Sequence, residues 1–122
     1  MYEISTESSF SAAHHLRNYS GPCENVHGHN WLVKAIVRCE QLDEAGLGID
    51  FKILKSKLRD ILAKLDHHDL NEVFAELSIN PSSELIARYI FGRLRDELTG
   101  YPCKMHRVEV SETPGNCAAY ME

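Results

Sequence analysis

Three patterns in this 122-residue chain predict an α+β fold with the element order ββααββ. Apolar and polar residues alternate near both ends, two central stretches carry apolar residues at helical spacing, and glycine, proline and asparagine mark the junctions. Two hairpins of this kind join into one four-stranded antiparallel sheet with both helices on one face. The helices bury that face and leave the other free to meet a partner subunit.

Each element has its own justification. In residues 2–14, Tyr2, Ile4, Thr6, Ser8, Phe10, Ala12 and His14 share one parity, which reads as a long strand ending at His14. Asn18, Ser20, Gly21 and Pro22 mark residues 15–26 as a loop. A second strand runs from about 27 to 39, rich in Trp31, Val33, Ile36 and Val37. Gly46 and Gly48 close that region, and Asp50 is placed to cap the next helix. Phe51, Leu54, Leu58, Ile61, Leu62 and Leu65 form its apolar stripe.

Residues 66–71 break the pattern, with Asp69 or Asn71 placed to act as a helix cap. Asn80-Pro81-Ser82-Ser83-Glu84 carries capping side chains and a proline suited to a first helical turn. Leu85, Ile86, Tyr89, Ile90, Leu94 and Leu98 follow as the stripe of a second helix. Gly100 and Pro102 stop it. Strands around 104–112 and 117–121 then flank Pro114-Gly115-Asn116.

Composition narrows the partners. No repeat, linker or low-complexity tract interrupts residues 1–122, so the expectation is a single domain. Thirteen Lys and Arg against eighteen Asp and Glu give a net charge of -5 with no basic stripe, which argues against nucleic acid as the main partner. A local group of cations can still hold a small anionic substrate. No apolar run reaches the ~20 residues that cross a bilayer. The N-terminus lacks the basic start and apolar stretch of a signal peptide, so cytoplasmic residence is expected. The four cysteines (Cys23, Cys39, Cys103, Cys117) form no CxxC pair, and no disulfide framework is expected. Cys39 reads as a small core hydrophobe.

The chemistry concentrates in Cys23-Glu24-Asn25-Val26-His27-Gly28-His29. His27 and His29, two apart in a strand, point to one face and can hold a metal ion between them. Gly28 puts no side chain on the opposite face. Three imidazoles plus a water or substrate oxygen make a catalytic zinc shell. The third imidazole must come from His14, His15, His67, His68 or His106. His14 is the strongest candidate, because its strand can pair antiparallel with the strand that begins at His27. Cys23 can serve as a general base where zinc or an imidazolium lowers its pKa, and Glu24 can do similar proton-transfer work. In Asp66-His67-His68-Asp69, an aspartate that accepts from a histidine fixes the imidazole tautomer. Glu112, at the end of a strand, can accept two hydrogen bonds from a guanidine-like edge. The competing non-enzymatic reading is a structural zinc module that binds a partner protein, with Cys23 as a fourth ligand.

Six segments taken together resemble the 6-pyruvoyl-tetrahydropterin synthase family, including its bacterial 6-carboxytetrahydropterin synthases of queuosine biosynthesis. They are Phe10-Ser11-Ala12-Ala13-His14, the Cys23–His29 stretch, Ile49-Asp50-Phe51, Leu65-Asp66-His67-His68, Asn80-Pro81-Ser82-Ser83-Glu84 and Glu112-Thr113, in the family's order and across nearly the whole chain. The resemblance implies a tunnelling fold whose ββααββ subunits form a barrel in trimers that pair into hexamers. It implies zinc on His14, His27 and His29, with Cys23 as proton acceptor and His67, supported by Asp66, as the partner acid/base. It implies that Glu112 anchors the pterin ring, with Ser82 and Ser83 lining the same pocket, although the family often has threonine there.

The family substrate is 7,8-dihydroneopterin triphosphate. One branch converts it to 6-carboxytetrahydropterin, another to 6-pyruvoyltetrahydropterin, and a third cleaves dihydroneopterin to 6-hydroxymethyl-dihydropterin for folate synthesis. Three residues separate Cys23 from His27, a spacing that resembles the queuosine branch. Glu24 stands where the folate-type branch carries its glutamate. The chain therefore resembles a queuosine-type synthase that also carries the folate-type residue.

Overall fold

The computed structural model describes residues 1–17 and 25–122. Strands β1 (Tyr2–His14) and β2 (His27–Cys39) are followed by helices α1 (Phe51–Ala63), α2 (Leu70–Val73) and α3 (Ser83–Glu97), then by strands β3 (Lys104–Thr113) and β4 (Asn116–Met121). The strands form one antiparallel sheet, as expected from the two hairpins, and their order is β1-β2-β3-β4.

Register sets everything that follows. β1 and β2 pair without a break from Tyr2↔Cys39 to His14↔His27. Phe10, Ala12 and His14 therefore share a face with Trp31, Val33 and Ala35, and all six are buried. Val108 and Val110 of β3 join them, since Val33 pairs with Val110 and Ala35 with Val108. Helices α1 and α3 cover this face with Leu58, Ile61, Leu62, Ile86, Ile90 and Leu94. A second cluster, with Val37, Cys39, Ile49, Leu54, Leu98 and Cys103, fills the end of the sheet away from His14.

The outward face is charged and partly apolar. Arg38 bonds Glu3 at 2.8 Å and Arg107 bonds Glu109 at 3.0 Å, while Leu32 and Met121 stand exposed beside them. Among the described residues no helix is long and apolar enough to cross a membrane.

The caps follow the sequence, with two differences. Asp50 accepts from the Lys52 N–H and starts α1; Ser82 accepts from the Leu85 N–H and starts α3. Pro81 thus precedes the cap instead of occupying the first helical turn, so its carbonyl is free to bond elsewhere. Between the long helices, α2 and a 3-10 turn (Ala75–Leu77) appear where only a break in pattern was expected. Four residues are too few for a 3.6-residue period to register, and the signal that remains is Asp69, which accepts from the Asn71 N–H as the cap of α2.

Gly48 is required by packing. A Cβ there would lie 2.5 Å from Cys39 Sγ, 2.9 Å from Ile4 Cδ1 and 3.1 Å from Cys103 Sγ. Burial also pushes the Cys103 thiol up to about 11, so its sulfur acts as a neutral packing atom. Gly48→Ala should cost about 1–3 kcal/mol in urea unfolding, the usual range for overpacking a tight core. A loss below about 0.5 kcal/mol would show that this cluster yields easily.

Candidate functional site

The hydrophobic face of the sheet ends in histidines. His14 and His27 are directly paired across β1 and β2, and His29 lies one inward-facing position further along β2, opposite Ala12. His29 meets His14 and His27 edge to face, at centroid distances of 5.4 Å and 4.6 Å, while the His14 and His27 rings lie tilted at 4.5 Å. Trp31, wholly buried, forms the floor; its ring stands edge-on to His14 at 4.8 Å and to His29 at 5.5 Å. Its indole N–H donates to the Ala12 carbonyl at 3.3 Å, so the floor is tied to β1 itself.

Glu112 enters from β3, where it shares the inward parity of Val108 and Val110. Its Oε1 lies 2.8 Å from His14 Nε2, 2.7 Å from His29 Nε2 and 3.6 Å from His27 Nε2. The four ligand atoms fall within 4.8 Å of one another and could hold a metal ion.

The donor chemistry fits a cation. His14 Nδ1 donates to the Pro81 carbonyl at 2.7 Å, and His27 Nδ1 donates to the Asn25 carbonyl at 2.7 Å. Rings held in this way turn bare Nε2 lone pairs toward the carboxylate oxygen. His29 Nε2, although close to Glu112, lies outside hydrogen-bond geometry and has no hydrogen-bond partner among the described residues. Burial lowers the His29 pKa and so favours the neutral ring, against the opposing pull of the Glu112 carboxylate. Several lone pairs thus converge with too few protons among them, and a metal ion satisfies that arrangement.

Asp66 and His67 form a second group along the outer edge of β1. The Asp66 carboxylate accepts from the Ser11 backbone N–H at 2.9 Å through Oδ1, and its Oδ2 lies 3.0 Å from His67 Nδ1 as an ion-pair contact. The His67 N–H returns a bond to the Ser11 carbonyl at 2.6 Å, and the Ala13 N–H bonds the His68 carbonyl at 3.2 Å. This stitching holds His67 at a φ of 58°, rare for a residue with a side chain. The ring is exposed, with Nδ1 on Asp66 and Nε2 facing outward. His68 instead turns its Nδ1 to the Asp66 carbonyl, and His15 and His106 lie outside the cluster.

Cys23 and Glu24 lie outside the described residues. The chain leading toward them is anchored: the His15 N–H bonds Asn71 Oδ1 at 2.8 Å and the Arg17 N–H bonds Asn80 Oδ1 at 3.1 Å. Ser82 and Ser83 stand at the start of α3, next to the Pro81 carbonyl that holds His14. These anchoring groups escape a reading of the sequence, because a backbone carbonyl has no residue signature; the Asn-Pro pair signals only a turn.

The family model described as 6-pyruvoyl tetrahydropterin synthase matches residues 3–122. The chain belongs to that family. It is 38% identical to a 6-carboxy-5,6,7,8-tetrahydropterin synthase of Synechocystis sp., over 98% of this chain and 93% of that protein. It is 33% identical to a dihydroneopterin monophosphate aldolase of Pyrococcus furiosus, over 85% and 83%. The solved structure of Caenorhabditis elegans 6-pyruvoyl tetrahydropterin synthase superposes with a TM-score of 0.85 at 30% identity, covering 99% of this chain and 95% of that one.

Two measurements test the Asp66–His67 geometry. The Ser11 N–H, and then the His67 bond, hold Asp66 below the ordinary aspartate pKa. A depressed folded pKa stabilises the native state above the unfolded value and loses that contribution as pH falls through the folded one. The stability gap between the parent protein and Asp66→Asn should therefore be full at neutral pH and close in acid below the ordinary aspartate range. A gap independent of pH would contradict the assignment. His67→Gly should raise stability by about 0.5–1 kcal/mol by relieving the left-handed backbone, and an unchanged or lower stability would argue against strain there.

Proposed function

We propose that this chain is a zinc-dependent enzyme that converts 7,8-dihydroneopterin triphosphate, with water, to 6-carboxy-5,6,7,8-tetrahydropterin, acetaldehyde and triphosphate, the reaction of the queuosine pathway. The observation that carries this reading is the convergence of His14, His27 and His29 Nε2 on one point beside Glu112, in a chain 38% identical to a protein named for that product.

His14, His27 and His29 would hold the zinc, and the arrangement resembles catalytic shells of three imidazoles with a further position for substrate. When bound, zinc supplies Lewis acidity to the vicinal hydroxyls of the substrate side chain. The remaining chemistry belongs to the protein. Cys23 takes a proton from the acidified side chain. His67, whose Nδ1–H is held by Asp66, exchanges protons through its outward Nε2. Glu112 accepts paired N–H donors from the pterin ring, a reading supported by its place 2.8 Å from His14 Nε2. Ser82 and Ser83 line the pocket. The Ser82 oxygen is engaged as a helix cap but its hydroxyl proton remains available to donate.

The site is partly exposed in one chain, with the His27 and Glu112 side chains 27% and 26% exposed, and β1 and β4 are the edge strands of the sheet. We read the assembly, on the family resemblance, as a homo-oligomer of trimers pairing into hexamers, and its location as the cytoplasm. A second reading is favoured by the Pyrococcus relative and by Glu24: cleavage of dihydroneopterin to 6-hydroxymethyl-dihydropterin, with Glu24 as base. A third outcome, 6-pyruvoyltetrahydropterin, corresponds to the other family branch. A structural zinc module is the non-enzymatic alternative.

Product analysis separates these readings. The parent protein should form 6-carboxytetrahydropterin from dihydroneopterin triphosphate, and Cys23→Ala should lose at least about 100-fold, the scale of a lost general base. Glu24→Ala should spare that reaction and reduce any cleavage of dihydroneopterin. Full 6-carboxytetrahydropterin formation by Cys23→Ala would sink the mechanism. Metal analysis provides an independent check: the parent should carry zinc and His29→Ala should lose it, whereas retention at the parent level would remove His29 from the shell.

A further inference from the structure

His14 uses its two ring nitrogens differently, and the group on the second one belongs to a segment with further anchors. Nδ1 donates to the Pro81 carbonyl at 2.7 Å. One residue earlier, the Asn80 side chain grips the backbone of Arg17 from both sides. Its Oδ1 accepts the Arg17 N–H at 3.1 Å and its Nδ2 donates to the Arg17 carbonyl at 3.2 Å. One residue later, Ser82 Oγ accepts from the Leu85 N–H at 3.2 Å and fixes the start of α3. Pro81 has no N–H and a ring-fixed φ. The carbonyl on His14 therefore sits between two pinned residues.

We propose that Asn80 is the positioning residue of the metal centre, locking Arg17 three residues beyond His14 so that the Pro81 carbonyl stays on His14 Nδ1. This rests on the reading of the three histidines as metal ligands. A neutral imidazole has two tautomers, and the bond to one nitrogen decides which lone pair is offered to a metal. Residues that hold a ligating histidine in this way commonly change metal affinity by 10–100-fold when removed. The segment has a second anchor that serves as a control. Asn71 Oδ1 accepts the His15 N–H at 2.8 Å from α2, but the hydrogen bonds of the His14 ring among the described residues go to Pro81 and Glu112, not to the Asn71 segment. Asn71 anchors the backbone; Asn80 anchors the backbone and the carbonyl together.

The test compares zinc dissociation constants, by competition with a chromophoric chelator, for the parent, Asn80→Ala, Asn80→Asp and Asn71→Ala. In parallel, ring 15N shifts report the His14 tautomer in the metal-free proteins at mildly alkaline pH. Asn80→Ala should bind zinc about 10–100-fold more weakly, with His14 passing from a single Nδ1–H form to a mixture. Asn80→Asp keeps the acceptor for the Arg17 N–H but loses the donor, and should fall between. Asn71→Ala should stay within about threefold of the parent. Parent-like affinity and tautomer in Asn80→Ala would overturn the proposal, as would an equal loss in Asn71→Ala. If Asn80→Ala does not fold, Asn80→Asp decides by the same two readouts. If the parent takes up no zinc, the metal reading fails, and the His14 tautomer still decides the role of Asn80.

Discussion

The continuous pairing of β1 with β2 is the constraint on which the rest of the structure depends. It runs from Tyr2↔Cys39 to His14↔His27 with one parity throughout, so the face that buries Phe10, Trp31 and Val33 also presents the imidazoles. The candidate metal centre is the last layer of the hydrophobic core. A slip of one residue would turn the apolar set and the histidines outward together. Folding and site assembly therefore answer to the same register.

The edge of β1 shows the same economy. Near its C-terminal end, Ser11 and Ala13 spend their outward backbone groups on the loop that carries Asp66, His67 and His68. A free strand edge invites pairing with another chain. Here the stretch next to the histidines is covered, and its covering also aligns His67 Nδ1 with Asp66. The backbone that protects the edge sets the orientation of the candidate acid/base.

Much of this was legible in the sequence because it rests on period and spacing. The parity of Tyr2 to His14, the His-x-His pair and the stripes of Leu54–Leu65 and Leu85–Leu98 each announce an element, and Asp50 and Ser82 announce its start. Glu112 could be placed on a strand, but its meeting with the imidazoles depends on pairing between β2 and β3, which no local pattern encodes. α2 is too short for its period to show. Pro81 and Asn25 act through their carbonyls, which every residue has, so their contribution to His14 and His27 is visible only in three dimensions.

The separation between His14 and Glu112 along the chain, 98 residues, has a consequence for how the centre comes together. All three imidazoles belong to one hairpin and have been synthesised once residue 29 is added. The carboxylate follows later in synthesis, on β3, a strand that must dock against β2. The centre thus has an early, local half and a late, long-range half. A metal ion held by the first half would favour the hairpin before the sheet is complete, and one held in the finished site would add its binding free energy to the stability of the whole fold.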